Sequence, residues 1–84
     1  MATPKTFLVE AYAPATSEID LLSGHARRVA EIAGSPGPVR HLRSILVPED
    51  ELCFHFFEAE SAEHVAAAID LADLPAQRIV EVRP

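Results

Sequence analysis

Apolar and polar residues alternate along four stretches of the chain, and two intervening stretches carry apolar residues at helical spacing. Phe7, Val9 and Ala11 alternate with Leu8, Glu10 and Tyr12, which predicts a strand over residues 5–12. Ile19, Leu22, Ala26, Val29 and Ala33 then recur on one side of a predicted helix. Thr16 or Ser17 is placed to accept hydrogen bonds from its first free amides, and Gly34 with Ser-Pro-Gly-Pro ends it. Gly24 interrupts this helix and is expected to let it approach a sheet closely. Strands are predicted over residues 39–47 and 52–58, joined by the compact turn Pro48-Glu49-Asp50-Glu51. Ser61 caps a second helix whose Val65, Ala68, Ile69 and Ala72 form one stripe, and Pro75 closes that helical region. RIVEVR, residues 78–83, is the fourth strand.

The order β-α-β-β-α-β predicts a single α+β domain over residues 1–84 with the ferredoxin-like split arrangement. Right-handed crossovers give a four-stranded antiparallel sheet in the order 4-1-3-2. Both helices are expected on one face, with the other face open.

Closing the turn between Val47 and Leu52 pairs Leu46 with Cys53, Ser44 with His55 and Leu42 with Phe57. That row is assigned to the helix-covered side, together with Phe7, Val9, Ala11, Val80 and Val82. The open face then receives Glu10, Tyr12, His41, Arg43, Glu58 and Glu81 beside Ile45, Phe54 and Phe56. A slip of one residue would exchange the two sets. The apolar part of that face is too large to stay wet comfortably in so small a protein, so a homodimer through it is expected.

Composition narrows the classes. The chain has 84 residues and a net charge of −6. A chain this short buries only about 60–65% of the surface it exposes when unfolded, which makes self-association a useful source of stability. Cys53 is the sole cysteine, so neither an internal disulfide nor a zinc-ribbon spacing is available. The acidic balance argues against nucleic acid and against an anionic membrane surface. No signal-peptide pattern and no run of roughly 20 apolar residues is present, and a cytoplasmic protein is expected.

No catalytic signature is legible, and a binding role is expected over an enzymatic one. Glu10, Tyr12, His41, Arg43, Glu58 and Glu81 are the candidate ligand-binding residues, with Arg43 and Glu58 as the centre of a polar group on the open face. A structural salt-bridge network beside a dimer interface accounts for the same residues. Cys53 and His55, two apart on one strand, share a face, and with His25 from the overlying helix they are the candidates for a soft metal. A small cysteine and a satisfied histidine beneath a helix explain the pair equally well. The residues themselves point to no resident cofactor.

The segment RSILVPEDELCFHFFEAESAEHV, the later LPAQRIVEV and the opening FLVEAYAP resemble a family of small bacterial ferredoxin-like proteins of undefined function. The resemblance runs from Phe7 to Val82. It implies the same fold and, from one branch of the family, dimers and nickel binding. Where those relatives are implied to carry histidines, this chain has Ala11, Tyr12, Ile69 and Leu74, and it retains only the strand-end Glu58. Three functions follow as alternatives: a small dimeric binding or accessory protein with a small-molecule ligand or partner on the open face, a nickel or other transition-metal binder, and a cofactor-independent monooxygenase-like enzyme.

Overall fold

The computed structural model describes residues 4–32 and 39–83. Strand β1 is Lys5–Tyr12, helix α1 Ile19–Ile32, β2 Val39–Val47, β3 Leu52–Ala59, helix α2 Ala62–Ala72 and β4 Ala76–Val82. A one-turn 3-10 helix, Pro48–Asp50, joins β2 to β3. The four strands form one antiparallel sheet in the order β2-β3-β1-β4, the ferredoxin-like α+β arrangement that the pattern predicts. Ala33 and the Gly34 stop signal lie outside the described residues.

Period-two burial follows the alternation of the sequence. Phe7, Val9 and Ala11 of β1 are buried, as are Cys53, His55, Phe57 and Ala59 of β3. Ala26 and Val29 of α1, with Val65, Ala68 and Ile69 of α2, pack into the same cluster as Phe7, Val9 and Phe57. Both helices therefore cover one face of the sheet. Gly24 has open space where a side chain would project, so close helix–sheet approach is not its role.

Helix α2 begins as predicted. Ser61 Oγ accepts the His64 backbone N–H at 3.3 Å, and the His64 ring returns to the same oxygen at 3.2 Å. The helix ends before Pro75, at Asp73, which adopts the left-handed conformation with φ 56°. There the Leu74 N–H reaches the Ile69 carbonyl at 3.1 Å.

Two register details correct the expected faces. A bulge at Leu42 shifts β2 by one residue, so that His41, not Leu42, lies opposite Phe57. Leu42 is 41% exposed. In β4, Ile79 lies opposite Val9, Val80 opposite Leu8, and Glu81 opposite Phe7. Residues directly opposite in an antiparallel pair project to the same face. Ile79 thus packs against the core, while Val80 and Val82 join the open face. Apolar residues at 79, 80 and 82 are compatible with either assignment; the pairing with β1 decides it.

Candidate functional site

The expected ligand-binding residues do not come together. Glu10, Tyr12, Arg43 and Glu58 are on the open face, but His41 and Glu81 are not. The bulge carries His41 to the helix-covered side, and the β4 register places Glu81 opposite Phe7. Glu81 there pairs locally with Arg83 Nε at 2.8 Å, a hydrogen bond that holds its carboxyl below the usual carboxylate range.

Nor does an Arg43–Glu58 centre form. Because of the bulge, Arg40 faces Glu58, and Arg40 Nη2 lies 3.1 Å from Glu58 Oε1. Arg43 instead sits opposite Phe56, its guanidinium carbon 5.3 Å from the ring centroid, where charge and π-face attract. Glu10 pairs with Arg78 across the β1–β4 ladder at 3.7 Å. Each open-face carboxylate therefore has an arginine of its own. Between them run Leu8, Ile45, Leu52, Phe54, Phe56 and Val80, a broad apolar surface.

Tyr12 turns to the β2–β3 connection, its hydroxyl donating to Glu51 Oε2 at 3.4 Å. Glu51 is a residue that the pattern gives no reason to single out. Its carboxylate also accepts the Ala15 N–H at 3.3 Å, and its carbonyl accepts the Ala13 N–H at 2.8 Å. It makes these contacts from a left-handed backbone, φ 53°. One side chain so ties the β1–α1 loop to the β2–β3 turn.

On the helix-covered face the bulge creates a polar string. His41 Nε2 lies 3.0 Å from Ser44 Oγ, and Ser44 Oγ lies 2.6 Å from His55 Nδ1. Cys53 Sγ is 3.9 Å from the same nitrogen. His55 is fully buried, and its Nε2 has no hydrogen-bond partner among the described residues. Burial first, then the charges of His41 and His25, push the His55 pKa down to about 4, so this imidazole is neutral at physiological pH. His41 is also lowered, mainly by burial and further by Arg27, against a raising hydrogen bond to the Arg43 backbone. Burial pushes the Cys53 thiol up, away from the thiolate that nucleophilic or metal chemistry needs.

The expected metal donors Cys53, His55 and His25 do not make a site. His25 lines a separate groove of about 350 Å³ with Arg28, Asp73 and Leu74, between α1 and the end of α2. Among the described residues, no three His, Cys, Asp or Glu side chains converge to hold a metal ion. The described residues of one chain therefore bring together no such donor set. Among the described residues, no helix is long and apolar enough to cross a membrane.

No curated protein and no solved structure matches the chain. One family model does, over residues 7–82, from the first buried residue of β1 to the end of β4. That span takes in all six main elements, the open face and the histidine string, and the chain belongs to the SCO4226-like family, described as nickel responsive protein SCO4226-like.

Proposed function

We propose that this protein is a homodimeric binding or accessory protein rather than an enzyme, and that its open sheet face is the surface on which two copies meet. The observation that carries this reading is the continuity of the apolar surface across all four strands. Val80 and Val82 of β4 extend it beyond the Ile45, Leu52, Phe54 and Phe56 patch legible in the sequence. Exposing such a surface to water is unfavourable by roughly 25 cal/mol per Å² of apolar area. A second copy is a self-complementary cover, because a two-fold axis brings the same apolar centre and the same flanking pairs, Arg40–Glu58 and Arg78–Glu10, to both sides. Arg43, Glu10, Tyr12 and Glu58 then lie on or beside the interface as its polar members. Sedimentation velocity at micromolar concentration tests the proposal: a dimer is expected, and a monomer would remove it.

The family description favours a second reading, a response to or binding of nickel. Since one chain offers no converging set of three donors among the described residues, a nickel site in this reading draws on two copies, with Glu58 as the retained acidic position. Calorimetric titration of the purified protein with nickel decides it. Absence of heat at micromolar metal would leave the dimeric binding role alone.

A further inference from the structure

We propose that the His41–Ser44–His55 string is an acid-sensitive latch that holds edge strand β2 in register beneath α1 at neutral pH and releases it when the string takes up a proton. Hydrogen counting carries the proposal. Two short contacts converge on one hydroxyl, 3.0 Å to His41 Nε2 and 2.6 Å to His55 Nδ1, and each needs one hydrogen. The hydroxyl supplies one, and one imidazole N–H supplies the other. With both rings neutral the count is met: His55 Nδ1–H donates to Ser44 Oγ, whose O–H donates to His41 Nε2. The buried His55 Nε2 is then left with only a lone pair unmet, which costs less than an unmet N–H.

An added proton breaks this arrangement at either ring. On His55 it creates an N–H at the buried Nε2, which has no partner among the described residues. On His41 it puts a second N–H on Ser44 Oγ, which has the lone pairs to accept both but must then turn its own hydrogen out of the string. Among the described residues, the groups that act on the string offer no counter-charge. From α1, Arg27 acts on His41 and His25 on His55, both cationic when charged. From β3 comes the thiol of Cys53, from β1 the apolar Val9 opposite His55, and the buried face of α2 is Val65, Ala68 and Ile69. The string sits beside the Leu42 bulge, in an edge strand paired on one side only, so its loss falls where the sheet is least supported.

The test is hydrogen exchange by NMR on the full chain between pH 7 and pH 4.5, with protection corrected for the intrinsic pH dependence. Protection of the β2 amides bonded to β3 should fall at least tenfold relative to those of β4, the other edge strand, which carries no such string. The fall should track the ring-proton titration of His55. Unchanged β2 protection, or an equal loss in β2 and β4, would overturn the proposal. His55→Phe should abolish the β2-specific loss, and its persistence would count against the latch. Should that variant not fold, His41→Phe supplies the second arm, keeping the aromatic contact with Phe57 and removing the neighbouring cation. It should raise the midpoint, and an unmoved midpoint would assign the response to groups outside the string.

Discussion

His41 faces Phe57 across the β2–β3 ladder with ring centroids 5.5 Å apart, and this pairing exists because Leu42 is bulged out of the strand. Without the bulge, strict alternation from Ser44 would bring Leu42 to the core and send His41 to the open face.

Deleting Leu42 should therefore be tolerated. Removal of the extra residue restores an unbulged ladder in which His41 still faces Phe57 and Arg43 still faces Phe56. The expected loss is no more than about 1 kcal/mol by chemical denaturation. Deleting Ile45 instead reverses the faces of everything on one side of it and should destabilise by several kcal/mol or prevent folding. Equal losses for the two deletions would show that the bulge is required in its own right.

Charging the middle of the open face separates folding from association. Phe54 lies opposite both Ile45 and Glu10, and neither helix covers it. Phe54→Lys should give a folded monomer in sedimentation experiments at micromolar concentration, with circular dichroism unchanged in shape. A dimer that persisted through this change would place the interface elsewhere.

Stability should fall on mild acidification. The His55 pKa is about 4 in the folded state against an ordinary value of 6.5, so the unfolded chain binds the proton more readily. The contribution is fully present above pH 6.5 and is lost progressively as pH drops from there through 4, amounting to about 3 kcal/mol for a shift of this size. Urea denaturation at pH 7.5 and pH 4.5 measures it, and His55→Phe should flatten that part of the profile.

The two left-handed residues should respond oppositely to glycine. Asp73→Gly relieves the backbone at the end of α2 and removes no side-chain hydrogen bond or ion pair seen among the described residues, so it should stabilise by about 0.5–1 kcal/mol in thermal denaturation. Glu51→Gly relieves the same strain but loses the bonds to Tyr12 and to the Ala15 amide. It should be neutral or destabilising. A gain at position 51 equal to that at 73 would show that these loop contacts contribute nothing.

Much of this architecture was legible in local pattern. The order of six elements, the strand order and the Ser61 cap all follow from apolar spacing and from turn and cap residues. The candidate site was less legible for two reasons. Glu81 was misplaced because Ile79, Val80 and Val82 are all apolar and two alternations fit equally well. His41 falls on the other face because alternation assumes an unbroken ladder, and nothing in HLRSIL marks which residue leaves it; Arg43 keeps its expected face, but the bulge gives Glu58 to Arg40.

The sequence by itself determined the order of the elements and that Cys53, His55 and Phe57 share one face of β3, because successive side chains of a strand alternate between its two faces. Only the tertiary structure decided what that row meets. A single extra residue in an edge strand replaces Leu42 by His41 opposite Phe57, gives Glu58 to Arg40, and sets two imidazoles on one serine hydroxyl. Register between strands is settled by the fit of whole surfaces, and the sequence of one strand does not contain its partner's bulge.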